Sequence, residues 1–283
     1  MTERTVIFGD DQHLIATLTP PSQTATPTRW VALLTNSGVI PRFGPHRMNV
    51  RLAQRFASMG VASIRYDMSG LGDSRRIQSQ GTITEQWVRD TRAAMDQAQA
   101  VWGDDVRFFM IGFCSGAEVA HLTALEDKRL EAAVLWDFYA FPTWKSKLYK
   151  LLYKLRRAGC KGILRRLLRM TDGARATSGS GRSADDGLQG FNTGPVPPPD
   201  VYMRRFQQLA DQKVSLFFYY SGGEPEWYAY RNQFFDMFEG QRFVSQVHFD
   251  QLAISDHLIT TKPAQEGFTA AVIRWLESTV LQR

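Results

Sequence analysis

Short apolar runs alternate with stretches of helical periodicity along most of the chain. Two strands near 5–8 and 14–18 come first, and further apolar strands are predicted at 31–35, 61–67, 106–112, 132–138, 214–220 and 244–249. Helical spacing fills the intervals, and a capping-box signature, Thr82-x-x-Glu85, begins one of these helices. Further helices are predicted near 228–238 and from about Pro263. The alternation predicts an α/β fold, with a mostly parallel sheet covered by helices on both faces.

Residues 141–213 interrupt this rhythm. Their first half carries apolar residues on one helical face: Trp144, Leu148, Leu151, Leu152 and Leu155. Residues 171–200 are rich in Gly, Ser and Pro, which predicts a flexible loop. We therefore expect one core made of 1–140 and 214–283, with 141–213 as a basic helical cap followed by a flexible loop.

The positive charge is concentrated in that insertion. The chain has 283 residues with 34 Lys and Arg against 28 Asp and Glu, a net charge of +6. Ten of the basic residues, and no acidic one, lie in 144–170. The rest has 24 basic and 28 acidic residues, a net charge of −4. A nucleic-acid-binding surface is therefore not expected, whereas 144–170 could contact an anionic membrane or an acidic carrier protein.

Apolar runs, cysteines and binding motifs predict the compartment of the protein and whether it needs a cofactor. It has 43% hydrophobic residues but no apolar run long enough to span a bilayer, and its N-terminal segment does not resemble a secretory signal. Two cysteines, Cys114 and Cys160, favour a reducing compartment. We expect a cytoplasmic protein, with peripheral membrane contact as an option. Without zinc-ligand spacing or a phosphate-binding glycine loop, we expect neither metal nor cofactor.

The segment Gly112-Phe-Cys-Ser-Gly116 lies between a predicted strand and a predicted helix. A nucleophile on a tight strand-to-helix turn needs small residues two positions before and after it. Cys114 has glycine at both positions, whereas Ser115 would have Phe113 and Ala117. This favours Cys114 as the nucleophile, activated at a helix N-terminus. The alternatives are Ser115 as nucleophile and Cys114 as a small packing residue.

At these residues the chain resembles the α/β-hydrolase superfamily, in its serine-aminopeptidase-like and lysophospholipase-like branch. The turn Asp67-x-x-Gly70-x-Gly72-x-Ser74 is similar to the one that follows the fourth strand in that superfamily. Residues 36–47 resemble more specifically bacterial hydrolases found beside exosortase or polysaccharide genes, which often carry a Gly-x-Cys-x-Gly turn. The resemblance implies a hydrolase fold with acyl chemistry, although the usual nucleophile of the superfamily is Ser.

The resemblance also implies the partners of the nucleophile. His257 lies between the last predicted strand and the C-terminal helix, where the superfamily has its catalytic base. The acid is expected in the loop after Tyr220, where Glu224 matches best and Glu226 competes.

Two further sets of residues are expected near the nucleophile. The oxyanion hole is assigned to backbone N–H groups of Ser115 and of the loop at Ser37 and Gly38. Three residues could contact an anionic substrate group or simply form a solvated helix start: Arg42, His46 and Arg47. Asp67 and Asp73 are interpreted as turn-stabilising and helix-capping residues rather than metal ligands.

Two classes of function remain open. The first is hydrolysis of an ester, thioester or amide in a small-molecule or acyl-lipid substrate, through a Cys-His-acid triad and an acyl-enzyme, or acyl transfer on the same fold. The second is an interaction protein without catalysis, whose basic segment 144–170 binds an anionic membrane or an acidic partner. No motif in the sequence specifies the acyl group.

Overall fold

A single eight-stranded sheet organises the protein. In the computed structural model, which describes residues 2–78, 81–153, 193–222, 228–253 and 255–283, the sheet order is β1-β2-β4-β3-β5-β6-β7-β8. The strands are β1 Arg4–Phe8, β2 Leu14–Thr19, β3 Trp30–Leu34, β4 Ala62–Tyr66, β5 Arg107–Phe113, β6 Leu130–Trp136, β7 Ser215–Ser221 and β8 His248–Leu252.

The helices of the described residues are interleaved with these strands. They are α1 Met48–Ser58, α2 Ile83–Trp102, α3 Ser115–Glu126, α4 (described over 144–153), α5 Pro199–Asp211, α6 Gln233–Met237 and α7 Lys262–Trp275. The capping box of α2 is formed: Glu85 N–H donates to the Thr82 hydroxyl (3.2 Å), and Thr82 N–H donates to the Glu85 carboxylate (2.8 Å). None of the described helices combines the length and the hydropathy needed to cross a bilayer.

The sheet is parallel from β4 to β8 in its spatial order. Only β1 with β2 and β2 with β4 pair antiparallel. Fully buried strands of this kind read as continuous apolar runs, as β5 and β6 do in the sequence. The predicted mostly parallel α/β sheet is confirmed.

Successive side chains of the central strands point to opposite faces, and each face has its own core. On β5, Phe108 packs in the core beneath α2, α3 and α5, while Phe109 packs in the core beneath α1 and α7. Both rings are completely buried. The sheet is therefore sandwiched between two helical layers, which fixes the strand ends on which the functional loops are built.

The predicted insertion is shorter than expected within the described residues. Tyr202, Phe206 and Leu209 of α5 are fully buried in the core. The Pro-rich run at its start, with Pro199 at the first helical turn, hid this i, i+4, i+7 pattern. Residues 199–211 are thus part of the body, and the prediction that all of 141–213 is cap and loop is wrong there. The rest of that prediction, over 154–192, lies outside the described residues.

One predicted helix is also shorter than expected. The sequence predicted a helix over about 228–238, but only α6, Gln233–Met237, is helical. The Tyr228 hydroxyl accepts a hydrogen bond from Phe234 N–H (2.9 Å) and donates one to the Arg231 carbonyl (3.0 Å). These side-chain bonds hold the preceding residues in a turn.

Candidate active site

The carboxyl ends of parallel strands meet at one edge of the sheet, and the residues of the candidate site follow four of these strands. The loop after β3 begins at Thr35, Cys114 follows β5, Asp137 follows β6, and His257 lies in the loop after β8. Because β3, β5, β6, β7 and β8 are neighbours in the sheet, these loops come together in space.

Cys114 occupies a strained turn between β5 and α3. Its backbone has φ 53° and ψ −117°, in the positive-φ region that non-glycine residues rarely adopt. The Cys114 N–H donates to the Trp136 carbonyl (2.9 Å), and the Cys114 carbonyl accepts from Ala117 N–H (2.9 Å). The half-buried thiol therefore sits at the N-terminus of α3, a position that favours negative charge.

The two glycines flanking this turn are required by close approach. A Cβ on Gly112 would lie 2.3 Å from the Gly116 carbonyl oxygen. A Cβ on Gly116 would lie 2.8 Å from the carbonyl oxygen of Asn36. The glycine spacing that singled out Cys114 in the sequence thus has a direct steric basis in the fold.

His257 is hydrogen bonded to a carboxylate that the sequence did not predict. Its Nδ1 lies 2.7 Å from Asp137 Oδ2. With Nδ1 donating to Asp137, Nε2 is the ring nitrogen left for the Cys114 thiol, which is near enough to raise the pKa of the imidazole. The Phe113 ring packs against the imidazole, with 4.5 Å between the ring centroids, and limits its rotation.

Asp137 is held firmly at the end of β6. Ser221 N–H donates to Oδ1 (2.7 Å), and the Ser221 hydroxyl donates to Oδ2 (2.6 Å). The Asp137 N–H donates to the Tyr219 carbonyl (2.8 Å), while φ 48° turns the chain away from the strand. A carboxylate with these partners is fixed in position and able to orient an imidazole.

These contacts control the protonation of His257. Burial by itself lowers the pKa of the imidazole, but the hydrogen bonds to Asp137 and Cys114 and the negative charge of Asp137 outweigh it. The net result is a pKa raised from 6.5 to about 10. The site therefore stabilises an imidazolium, the form that His257 would take after accepting a proton from a nucleophile.

The acid expected from the sequence was Glu224, with Glu226 as its competitor. Both lie outside the described residues, and the carboxylate on His257 is Asp137. The prediction placed the acid after β7 by resemblance, whereas the observed partner follows β6. One signal was present in the sequence: Asp137 is the single charged residue in the apolar run Ala132–Phe138.

The loop after β3 reaches the nucleophile turn but uses its N–H groups locally. Gly38 N–H donates to the Ser115 hydroxyl (2.9 Å), and Ser37 N–H donates to the Ile40 carbonyl (3.2 Å). The structure thus brings Ser37, Gly38 and Ser115 together. It does not present the two loop N–H groups as unpaired oxyanion donors.

Arg42 is paired with two carboxylates. Its backbone N–H donates to Asp67 Oδ1 (2.7 Å), and its guanidinium binds the carboxylates of Asp67 and Asp73, the latter at 2.7 Å. Asp67 is fully buried and also accepts from Asn36 Nδ2 (2.9 Å) and Asp73 N–H (3.1 Å). Arg42 therefore links the β3 loop to the β4 turn through Asp67, and its role as a substrate contact stays a prediction.

His46 and Arg47 remain exposed at the start of α1. Both have positive φ, 48° and 60°. Burial alone would raise the pKa of Asp256, but hydrogen bonds from Thr260 and the nearby charge of His46 lower it instead. His46 is therefore within electrostatic range of the residue preceding His257. The roles of His46 and Arg47 as substrate contacts stay predictions.

Comparisons with known proteins agree with this architecture. The family described as "Serine aminopeptidase, S33" matches residues 42–161, which include Cys114 and Asp137. Among proteins of curated function, none is significantly similar in sequence.

Solved structures share the fold at low identity. An alpha-beta serine hydrolase homologue from Coxiella burnetii is 13% identical, with TM-score 0.59 and 98% of each chain covered. A thermostable carboxyl esterase from Bacillus coagulans is 13% identical, with TM-score 0.59 and 99% of each chain covered. A serine hydrolase without lid from Xanthomonas campestris is 11% identical, with TM-score 0.58, covering 98% of this chain and 94% of its own.

Proposed function

We propose that this chain, which has the α/β-hydrolase fold and matches a hydrolase family over residues 42–161, is an acyl hydrolase with Cys114 as nucleophile. His257 is the general base in this proposal, and Asp137 is the acid that orients it. The substrate class is an ester, thioester or amide. An ester is the simplest starting point, since the structural neighbours include a carboxyl esterase.

The chemistry follows from the hydrogen-bonded chain of side chains. The proton of Cys114 resides on His257 Nε2, the Sγ thiolate attacks the carbonyl carbon, and the carbonyl π electrons move to oxygen. Collapse of this intermediate breaks the bond to the leaving group, which takes the proton from the imidazolium. Water then attacks the Cys114 thioester, His257 accepts the water proton, and the acid is released as the thiol re-forms.

Asp137 supports each proton transfer without moving a proton itself. Its hydrogen bond holds the Nδ1–H tautomer and stabilises the imidazolium. The Ser115 N–H, at the first position of α3, is the best supported oxyanion donor. Gly38 N–H would join it only after releasing the Ser115 hydroxyl, so the roles of Ser37 and Gly38 stay a prediction.

One observation carries the proposal. A cysteine at φ 53° on the strand-to-helix turn lies near enough to an imidazole to raise its pKa, and Nδ1 of that imidazole is 2.7 Å from a fixed carboxylate. A cysteine that served only packing would require neither the strained turn nor the charged partners. The arrangement has the roles and the chain order expected of a nucleophile, acid and base.

Acyl-adduct detection tests the proposal directly. The protein is incubated with p-nitrophenyl esters and acyl thioesters of increasing chain length, then examined by intact mass and peptide mapping. We expect a mass increase equal to the acyl group on Cys114 and its loss, together with turnover, in Cys114→Ala. Ser115→Ala is the matched control and should retain the adduct. An adduct on Ser115, or no turnover of any substrate by folded protein, would contradict the proposal.

A further inference from the structure

The described part of α4, residues 144–153, packs on the body through its polar side. Ser146 is fully buried, and its hydroxyl is bonded to the Thr143 backbone. Tyr149 stacks on Tyr230, with 5.2 Å between ring centroids. Ser146 and Tyr149 lie on the same side of a helix that turns about 100° per residue. The opposite side therefore points away from the protein.

That outward side is apolar. Four large side chains, which we call the apolar face of α4, are exposed at i, i+4, i+7 and i+8: Trp144 (71%), Leu148 (46%), Leu151 (54%) and Leu152 (46%). Lys147 borders this face on one side, and Lys145 on the other side is ion-paired with Asp236 (2.9 Å). A soluble helix normally buries such a stripe and exposes its polar side. Here the arrangement is reversed, which marks an interaction surface.

Charge identifies the kind of partner. Residues 144–170 contain ten basic residues and no acidic one, whereas the rest of the chain is net negative. A second copy docked face to face would bring two such positive segments together and would be opposed by their repulsion. The partner must therefore combine an apolar interior with anionic groups at its surface.

A bilayer containing anionic lipids fits this description. Leucine and tryptophan side chains that project from one helix can enter the acyl-chain boundary without needing a shaped groove. Lys147 at the border of the apolar face then lies at the depth of the headgroups, with its stem alongside the hydrocarbon. An acidic protein would have to supply a groove fitted to four projecting side chains. A lipid surface requires no such groove and is therefore the favoured partner.

We propose that the apolar face of α4 docks this protein on an anionic lipid bilayer. Residue 144 lies seven positions after Asp137 at the carboxyl end of β6, so docking would bring the candidate active site next to the membrane. That consequence rests on the proposed function, and it would make acyl lipids the accessible substrates. The docking itself does not depend on catalysis.

Vesicle flotation measures the docking. Full-length protein is mixed with phosphatidylcholine vesicles with or without about 30% phosphatidylglycerol, at about 50 mM and about 500 mM salt. We expect binding to anionic vesicles at low salt and a marked loss at high salt. The triple variant Trp144→Ser, Leu148→Ser, Leu151→Ser should lower the partition coefficient at least about tenfold. Lys147→Glu should lower it about tenfold as well.

Matched controls separate docking from general effects. Ile7→Ser with Val196→Ser removes exposed apolar groups elsewhere, 60% and 56% exposed, and should leave binding unchanged. Cys114→Ala should bind like wild type, so a failure of docking is distinguishable from a failure of the proposed chemistry. Circular dichroism and thermal unfolding check that each variant is folded.

A depth probe locates the inserted residue. Brominated phosphatidylcholine in the anionic vesicles should quench the fluorescence of Trp144, and Trp144→Phe should lose this quenching while still binding. The proposal is overturned if wild type fails to bind anionic vesicles at low salt, or if the triple variant binds equally well. It is also overturned if the apolar face of α4 proves to mediate dimerisation, or binding of an acidic protein, without vesicle binding.

Discussion

Asp137 is the residue whose hydrogen bonds position the imidazole of the candidate active site. It accepts hydrogen bonds from His257 and from both donors of Ser221, so each of its oxygens has a partner. Its positive φ breaks β6 at the place where the chain must leave the sheet. The two features belong together, because the turn directs the carboxylate along the sheet edge toward His257.

Replacing Asp137 by asparagine tests this role. An amide keeps the shape but cannot hold the imidazolium, so we expect kcat/KM to fall at least about 100-fold. Glu224→Gln and Glu226→Gln are the matched controls and should change kcat/KM by less than about threefold. Steady-state kinetics on the substrate found by adduct formation gives the measurement. A larger loss of kcat/KM in Glu224→Gln than in Asp137→Asn would indicate that the catalytic acid lies in the loop after β7.

The raised pKa of His257 predicts a pH-dependent contribution to stability. In the folded state that pKa is about 10, against 6.5 when unperturbed. Stability from the imidazolium is therefore fully present below pH 6.5 and is lost as pH rises through about 10. The free energy of unfolding of wild type, relative to His257→Gln, should decrease between these pH values in urea titrations.

His248 provides the control for this measurement. Burial lowers its pKa from 6.5, so it titrates below that window. The difference between wild type and His248→Gln should then be flat above about pH 7.5. A flat profile for His257→Gln across the same range would show that its hydrogen bonds do not favour the imidazolium.

At the scale of elements, the turn between β5 and α3 is determined by backbone packing. Gly112 contacts the first turn of α3, and Gly116 contacts the loop after β3, so neither position has room for a side chain. The strain at Cys114 is maintained by these contacts on both sides. The nucleophile's position therefore depends on the packing of β5, α3 and the β3 loop.

Gly112→Ala should disturb this turn. Because the added Cβ would meet the Gly116 carbonyl at 2.3 Å, we expect a loss of about 1–3 kcal/mol in the free energy of unfolding and weaker acylation of Cys114. Gly267→Ala is the matched control. Gly267 lies within α7, and a Cβ there would lie 3.7 Å from the Leu252 side chain. The free energy of unfolding should therefore rise by up to about 1 kcal/mol. Chemical denaturation compares the two variants, and equal effects would contradict the steric argument.

At the scale of the whole molecule, α5 closes one face of the sheet although a long segment separates it from β6. Phe206 packs edge-on against Phe218 of β7, with 4.9 Å between ring centroids, and its side chain is fully buried. Tyr202, Phe206 and Leu209 of α5 are thus part of the same core as Phe138, which follows β6. The described residues between β6 and α5 include α4 with its exposed apolar face.

Phe206→Ala tests whether α5 belongs to the core. Removing a fully buried ring should cost about 3–5 kcal/mol of unfolding free energy. Phe235→Ala, at a side chain that is 44% exposed, should cost less than about 1 kcal/mol. If the Phe206 variant is as stable as the Phe235 variant in urea unfolding, α5 contributes little to the body of the protein.

Local patterns determined much of what could be predicted. Apolar runs and helical periodicity identified the parallel sheet, because a strand that is buried on both faces must be apolar at nearly every position. Gly112 and Gly116 marked the strained turn at Cys114, since close approach excludes every side chain there. His257 was located by its place after the last strand, and the imidazole does lie beside Cys114.

Only the tertiary structure decided which carboxylate meets the imidazole. Sequence order allows acids after β6 or β7, and the choice depends on how neighbouring strand ends point, through contacts between Asp137, Ser221 and His257 that are far apart in the chain. The same holds for Arg42, for which local reasoning offered a substrate contact or a solvated helix start, and which the fold pairs with the distant Asp67. Periodicity records which side chains are buried, whereas pairings between distant polar groups are set by the geometry of the folded sheet.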